Sequence, residues 1–437
     1  MLVRPRDSFR YLRHLSLNTY HRLRAQPGFA KTLAAVFTHA TQLETLSLSD
    51  GEILEVDQHV GDAFVQMKSL RVLKIGDFST QTIGLLAKMQ TPLVCIHANF
   101  TRSIFDRVDP VPILAPFSDS LRHVAVTWVD FTSSETQFPH VVSLDTELCA
   151  PEGLEEIVQC FPNLQELYMD TGGEELWSNS EIEELRPPNW QSQAVHTWPS
   201  LSSLSGSVAT LYVLGVRCHV AHIDVSCDIL RKPIDGERLA AVLIDARPIS
   251  LSLQLQAWEL DVASLVQYLL PAKDSLVKLT LRIRFRGEQY EDPGPHIYAM
   301  LETLSVLSLR TIDIWVDWER DWDRSVRASG WRFSPDAQSE SSDIEEPQQT
   351  IADLDLTAIA LQAARSIPTL QFAVIDGKYP LWTTFYKVCR DVNGHGQQGA
   401  ATVVELEQAS REREELWKEK HTQRAAECHP GCSVYYL

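Results

Sequence analysis

An apolar triplet with the spacing Leu-x-x-Leu-x-Leu recurs along the chain. Its last two positions are two residues apart, so in a strand they share one face and point into a core. The first five copies start 31, 27, 23 and 28 residues apart. A period of this size predicts a stack of small units that each pack on their neighbours. The clearest copies start at Leu12, Leu43, Leu70, Leu93, Leu121, Leu164, Leu276, Leu309 and Ile367.

The segments between the triplets carry apolar residues three or four positions apart, the spacing of an amphipathic helix. Strands that alternate with helices predict an α/β fold with a parallel sheet. We therefore expect stacked strands that line a concave surface and helices that pack on the convex side. Helices are predicted over residues 29–39, 151–160, 236–246, 261–270 and 354–364.

Three stretches fit the pattern less well. Residues 141–146 give only a weak copy of the triplet, and residues 249–255 alternate without the full motif. Residues 208–213 and 220–225 both fit it, although they start only 12 residues apart. That distance is too short for a full repeat, so one of the two is expected to be an extra strand or part of a hairpin.

Several copies support a family resemblance. FRYLRHLSL, QLETLSLSD, SLRVLKIGD, SLRHVAV, FPNLQELYM and SLVKLTLRI resemble the repeats of fungal F-box/LRR (leucine-rich-repeat) proteins, with FPNLQELYM the most characteristic. The resemblance covers most of residues 9–375. It implies an irregular leucine-rich-repeat solenoid, or horseshoe, with a parallel concave sheet and convex helices. It also implies a protein-protein interaction module that recognises substrates for ubiquitin ligation.

The chain departs from that family in two respects. The Asn or Cys usual three residues past the triplet is replaced by Tyr20, Gly51 and Phe78 in the first three copies. An Asn there would bond backbone groups along the stack, so we expect an irregular horseshoe. No Leu-Pro-x-Glu helical segment precedes the repeats, and the chain enters the first one by Leu12. We therefore expect either a shortened N-terminus or a protein that does not bind the ubiquitin-ligase adaptor.

The pattern predicts four regions. Residues 1–320 form the leucine-rich-repeat solenoid, 321–350 a Trp-rich segment and an acidic disordered insertion, and 351–376 the last repeat. Residues 377–437 form a C-terminal hairpin, a charged helix and a tail, with NGHGQQG as the hairpin loop. Ser341 and Ser342 stand among acidic residues, a context that acid-directed kinases accept, although an unmodified solvated loop is the expected reading.

Tryptophans and arginines cluster near residue 320. The candidate protein-binding residues are Trp315, Trp318, Arg320, Trp322 and Trp331. Trp and Arg are enriched at binding hot spots, so one interpretation is a recognition patch at the end of the solenoid. The other, which we favour, is a cap that shields the apolar edge of the final repeat.

Composition narrows the possible partners. The net charge is −19, from 39 basic and 58 acidic residues. This disfavours nucleic acid and anionic membranes as partners and suits solubility or a basic protein partner. The eight cysteines are irregularly spaced, which predicts reduced thiols in a cytoplasmic or nuclear protein. The N-terminus lacks an apolar signal core, and no apolar run is long enough for a membrane helix.

Three motifs suggest chemistry, but none has the required context. Residues 394–399 match G-x-G-x-x-G, yet no βαβ unit surrounds them. Cys218, His219, His222 and Cys227 could bind zinc, but on a strand they would divide between two faces. Cys428, His429 and Cys432 need a fourth ligand such as His421. We expect no catalytic residue, no metal and no cofactor.

Two functions remain open, both without enzymatic activity. The first is an F-box/LRR-like substrate-recognition subunit linked to ubiquitin ligation, with an unknown protein target and an adaptor as a second partner if an F-box exists. The alternative is a free-standing LRR scaffold with no ubiquitin role. A third class, an enzyme, would require a deep polar cleft with convergent titratable groups.

Overall fold

The computed structural model describes residues 9–18, 28–100, 107–149, 153–171, 177–229, 233–256, 262–286, 293–319, 354–377, 382–392 and 398–405. The chain divides into two compact units, Met1–His219 and Val220–Leu437. Each unit alternates strands with helices, so the α/β class is confirmed. Within the described residues, no helix combines the length and the apolar character needed to cross a bilayer.

The first unit contains a parallel sheet whose strands lie side by side in chain order. Strands that follow one another and run parallel require a crossover between them, and a helix or turn supplies it on the other layer. In the described part of this unit the strands are β1 (His14–Leu17), β2 (Thr45–Asp50), β3 (Val72–Asp77), β4 (Cys95–Asn99), β5 (His123–Thr127), β6 (Ser143–Glu147), β7 (Glu166–Asp170) and β8 (Ser200–Gly206).

Polar residues start several helices of the first unit by accepting a backbone hydrogen bond. Asp57 accepts from the N–H of His59 at 2.7 Å, and Ser79 accepts from that of Thr82 at 3.1 Å. Such caps satisfy N–H groups that have no partner inside the helix. The helices are α1 (Phe29–His39), α2 (Gln58–Val65), α3 (Thr80–Leu86), α4 (Val111–Leu114), α5 (Leu154–Cys160), α6 (Asn179–Ser192) and α7 (Val208–Leu214), with 3-10 turns at Phe9–Tyr11, Gly51–Glu55 and Ala115–Phe117.

The register of the sheet aligns the aliphatic triplets of neighbouring strands. Leu46 lies opposite Leu73, which lies opposite Ile96, and all three are 0% exposed. Burying one such side chain stabilises the fold by about 1.5–3 kcal/mol. The core of the first unit is thus a continuous row that passes from strand to strand. Further members of the row are Val124, Leu144, Leu167 and Leu204.

The second unit repeats this arrangement and adds an antiparallel end. Strands β9 to β13 are parallel, and β14 and β15 are antiparallel. The described strands are β9 (His219–Ile229), β10 (Ser250–Gln256), β11 (Lys278–Arg286), β12 (Thr311–Glu319), β13 (Phe372–Gly377), β14 (Trp382–Val392) and β15 (Gln398–Glu405). The helices are α8 (Pro233–Ala246), α9 (Val262–Leu269), α10 (Gly294–Thr303) and α11 (Leu356–Ser366), with 3-10 turns at Leu270–Ala272 and Leu304–Val306.

Most predicted elements lie where the pattern placed them. The triplets stand in or immediately before strands, and the five predicted helices are α1, α5, α8, α9 and α11. The two strands predicted near the C-terminus are β14 and β15, which pair antiparallel. Residues 321–350, the charged helix and the tail lie outside the described residues, so those predictions stay open.

One prediction was wrong. The stretch from Val208 fits the triplet, but Val208–Leu214 is the helix α7 rather than a strand. Ser207 accepts a hydrogen bond from the N–H of Thr210 at 3.1 Å and so starts a helix, and Gly215 ends it with φ 55°. Six of the seven α7 residues are buried, so its apolar positions do not distinguish a strand from a buried helix.

Several elements were not placed individually by the sequence, and two of them, strand β8 and helix α6, show why. Strand β8 is rich in serine and has only Leu201 and Leu204 to indicate a core. Helix α6 is polar and includes Pro187 and Pro188. Side-chain amides fix α6 to the turn after α7: Gln193 Nε2 donates to the carbonyl oxygens of Leu214 and Gly215, at 2.8 Å each. These contacts depend on the fold and leave no pattern in the sequence.

Close packing of strand ends yields a first prediction. A Cβ added at Gly76 in β3 would overlap the carbonyl oxygen of Ser49 in β2, whereas one added at Gly84 in α3 would meet no atom within 4 Å. We expect Gly76→Ala to lower the free energy of unfolding by about 1–3 kcal/mol, since the backbone must shift. Gly84→Ala should raise it by about 0.5–1 kcal/mol through helix propensity.

Urea unfolding of the purified chain and both variants measures the two effects. Equal changes in the two variants would show that Gly76 is not required by the contact between β2 and β3.

Candidate functional site

The strands of the first unit have a second face, which is polar and partly exposed to solvent. One residue from each of β2 to β8 forms a row across it, in register from strand to strand. All members are half-buried, in contrast to the apolar rows beneath them. We call this surface the polar face. Its central row is Ser47, Lys74, His97, Ala125, Asp145, Tyr168 and Ser205.

The part of the polar face on β4 to β7 is acidic. Each of these four strands contributes three residues to the face, twelve in all. Four of the twelve are carboxylic acids, and none is Lys or Arg. The acids are Asp145, Glu147, Glu166 and Asp170, and the others are Cys95, His97, Asn99, His123, Ala125, Thr127, Ser143 and Tyr168. Because all these strands run in the same direction, Asn99, Thr127, Glu147 and Asp170 form a second row at their carboxyl ends.

Three of these carboxyl groups are close neighbours. Asp145 and Glu147 are two residues apart on β6 and share its face, and Glu147 lies opposite Asp170 on β7. Neighbouring strands are about 4.8 Å apart, so the three groups repel one another when ionised. We call Asp145, Glu147 and Asp170 the acidic triad.

Two acids of the triad, Asp145 and Glu147, are difficult to ionise. Burial, and then the charge of Glu147, raise the pKa of Asp145 to about 7. Burial, and then the charge of Asp170, raise the pKa of Glu147. Each shift combines desolvation with like charge, and a positive group placed here would oppose both.

Small residues lie beside the triad. On β5 the positions next to Asp145 and Glu147 are Ala125 and Thr127. Beyond them, β4 presents His97 and Asn99 at the same level. Because Ala125 and Thr127 are smaller than most of the residues on either side, they form a low strip of the polar face along β5, next to His123 on the same strand face. We call this strip the groove.

Four cysteines of the first unit, Cys95, Cys149, Cys160 and Cys218, are not activated. Burial raises the pKa of Cys95 to about 11, and the charge of Lys74 opposes this only in part. Burial likewise raises the pKa of Cys149 and Cys160 to about 12 and that of Cys218 to about 11. A thiol is a nucleophile only as the thiolate, so these groups are unreactive at neutral pH.

The polar side of the second unit's strands is more buried than the polar face of the first. Asp224, Gln254 and Asp313 are each 7% exposed, and Ser252 is 4% exposed. The corresponding central row in the first unit is half-buried. Arg282, Arg284 and Trp315 on the same side of the second unit are half-buried, but its central row is buried. The candidate site is therefore placed on the first unit, where the central row is partly exposed on every strand from β2 to β8.

The Trp-rich candidate residues are only partly described. Trp315 lies half-buried in β12, with its ring centroid 5.4 Å from Cζ of Arg282 on β11. Trp318 lies farther along β12, opposite Phe285. Arg320, Trp322 and Trp331 lie outside the described residues, as do Ser341 and Ser342. A binding patch and a cap both remain predictions for this segment.

The structure does not support the metal-binding and nucleotide-binding interpretations of the three sequence motifs. Cys218 is buried, and Nδ1 of His222 lies 3.1 Å from Oγ of Ser250. Among the described residues, no group of three or more His, Cys, Asp or Glu side chains could hold a metal ion. The G-x-G-x-x-G stretch stands between the antiparallel strands β14 and β15 rather than in a βαβ unit. Residues 421–432 lie outside the described part.

An apolar depression in the first unit offers no catalytic groups. It is lined by Thr171, Trp177, Ile182, Leu185, Ala209, Thr210 and Val213. The hydroxyls of Thr171 and Thr210 lie 3.0 Å apart and bond to each other. The depression therefore lacks the convergent titratable groups that acid-base or nucleophilic catalysis requires.

Comparisons with known proteins do not assign a family. No protein-family model matches the chain, and no curated protein is significantly similar to it.

Sequence reasoning did not identify the acidic triad. Acidic residues are abundant in this chain, so no single one stands out in the sequence. The three acids of the triad also lie on two strands, β6 and β7, which helix α5 separates along the chain. One signal was available: Asp145 and Glu147 alternate with Leu144 and Thr146 in the weak triplet copy at 141–146 and the residue that follows it. Alternation indicates which face they share, but only the register brings Asp170 next to Glu147.

The raised pKa of Asp145 predicts a pH-dependent stability. The groups facing Asp145 are Glu147 on its own strand, Ala125 on β5 and Tyr168 on β7. Its folded pKa of about 7 exceeds the ordinary 3.8, so the folded state binds this proton more tightly than the unfolded state. The free energy of unfolding should therefore fall as the pH rises from about 4 to about 7, and then level.

Asp145→Asn should remove most of this slope. At about pH 8 the variant should exceed the wild type in the free energy of unfolding by an amount on the order of 2 kcal/mol, and at about pH 4 the two should nearly coincide. Chemical unfolding across this pH range measures the difference in the free energy of unfolding. The control is Asp119→Asn, which removes an exposed carboxyl group before β5. Parallel curves for the wild type and Asp145→Asn would contradict the prediction.

Proposed function

We propose that this chain is a protein-binding repeat scaffold of the leucine-rich-repeat type, a horseshoe whose polar face holds a protein target. The observation that supports this most directly is the register of the first unit's sheet. It aligns a row of seven half-buried side chains, one from each of β2 to β8. A surface of this kind is extended and shallow, which suits contact with another protein rather than enclosure of a small molecule.

The resemblance of the repeats to those of fungal F-box/LRR proteins favours a particular role. In that role the chain is a substrate-recognition subunit linked to ubiquitin ligation, and an adaptor is its second partner. This part of the proposal rests on the repeat motifs alone, since fold does not determine function. The alternative is a free-standing scaffold that binds the same target without a ligase. Both use the same face.

Site-specific cross-linking in the native cell tests the scaffold proposal. A photo-reactive amino acid at Ala125, at the centre of the polar face, should form a covalent adduct with a discrete target. The same group at Glu184, exposed on α6, is the matched control. We expect Ala125→Arg to abolish the adduct formed from a second face position, Ser47, without lowering the melting temperature, because its side chain is partly exposed.

Three results would contradict the scaffold proposal: equal adducts from Ala125 and Glu184, no adduct from Ala125, or an undiminished adduct in the Ala125→Arg variant. The abundance of the captured target then separates the two roles. If the chain serves a ligase, depletion of the chain and inhibition of the proteasome should each raise target abundance. An unchanged abundance in both treatments would favour the free-standing scaffold.

A further inference from the structure

We propose that the groove along β5 binds an extended basic segment of a protein, whose Arg or Lys side chains pair with the acidic triad. This inference rests on the proposed function, because it specifies the chemistry of the partner for the same face. It depends on three features of the first unit: the spacing of the acids, the composition of the face and the small residues that floor the groove.

The spacing of the acids matches an extended chain. Asp145 and Glu147 are two residues apart on a strand, hence about 6.8 Å apart. In an extended peptide lying along the groove, alternate side chains have the same period and face the same side. Basic residues at alternate positions of such a peptide would therefore meet Asp145 and Glu147 together, and Asp170 on β7 lies within reach of a long Arg side chain.

The composition of the face supplies the charge complementarity. Its part on β4 to β7 has four acids and no Lys or Arg among the described side chains. The nearest Lys of the central row is Lys74 on β3, three strands from Asp145, and burial lowers its pKa. A guanidinium or ammonium group beside the triad would offset the like-charge repulsion there, and it would do so in a partly desolvated place where charge pairs are stronger.

The cation is better supplied by a side chain than by a metal ion. No group of three His, Cys, Asp or Glu within the described residues is arranged to hold a metal. Two of the acids point the same way from one strand, so they present a line rather than a cage. A planar guanidinium can bridge carboxylates that are arranged in a line.

The small residues of β5 leave room for the backbone of the segment. Ala125 and Thr127 lie between His97 and Asn99 on one side and Asp145 and Glu147 on the other. An extended backbone can therefore rest over β5 with its basic side chains directed to β6. Replacing Ala125 by a large residue would fill the groove while leaving the three acids unchanged.

Fluorescence anisotropy with defined probes tests the proposal on the full chain. The first probe is a labelled peptide of about nine residues with Arg at alternate positions. The second is the same peptide with neutral citrulline in place of Arg. We expect the Arg peptide to bind at least about tenfold more tightly than the citrulline peptide.

Two triple variants separate the site from the overall charge. The face variant is Asp145→Asn, Glu147→Gln and Asp170→Asn. The control variant is Asp119→Asn, Glu135→Gln and Glu184→Gln, whose carboxyls are exposed and lie outside the strands. Both raise the net charge of −19 by the same amount. We expect the face variant to lose at least about tenfold in affinity and the control variant less than about twofold.

Two further variants complete the test. Ala125→Trp should weaken the Arg peptide by at least about tenfold, since it fills the groove without a change of charge. If the triple face variant does not fold, as judged by circular dichroism and thermal unfolding, the single Glu147→Gln variant takes its place with Glu184→Gln as its control. The single variant should lose about threefold.

The proposal is overturned if the Arg and citrulline peptides bind alike, or if the face and control variants lose affinity equally. The second result would mean that the probe responds only to the net charge. A cross-linked target at Ala125, together with no binding of the Arg peptide, would leave the scaffold function in place and remove the basic partner. Absence of both would remove the scaffold function as well.

Discussion

Within each unit, a strand buries its aliphatic side chains only when its neighbour presents matching ones at the same level. Leu46, Leu73 and Ile96 meet this condition in the first unit, and Leu251, Leu279 and Ile312 meet it in the second. A shift of one residue in any strand would turn its leucines away from the helices and its polar residues into the core. The apolar contact between adjacent strands therefore fixes the parallel register, and the polar face follows from that register.

That register also explains why the candidate site is electrostatic. Alternation places Asp145 and Glu147 on the side away from Leu144, and the pairing of β6 with β7 then sets Asp170 beside Glu147. The fold holds three carboxyls together because the apolar side chains beneath them are buried in the same strands. Partial burial and mutual repulsion raise the pKa of Asp145 and Glu147, and this makes the face sensitive to any cation that approaches it.

The sequence predicted the layers of the fold better than its surface. Leu46 and Leu48, or Leu73 and Ile75, sit at fixed spacing within one strand, so a local pattern was sufficient to place them. Val208–Leu214 was misassigned because a short apolar run fits both a strand and a buried helix, and the capping role of Ser207 decided between them. The acidic triad could not be predicted, because Glu147 and Asp170 become neighbours only through the pairing of two strands, each fixed by its own core.

The division of each strand into a buried side and a polar side has a consequence for how such a chain can diversify. On the proposed function, substitutions at Ala125, Asp145 or Tyr168 would alter what the surface binds, while Val124, Leu144 and Leu167 maintain the fold from the adjacent positions. The residues proposed for binding and the residues of the core thus alternate along each strand. A lineage carrying this architecture could then change its binding preference at every second strand position while the buried aliphatic residues between them stay the same.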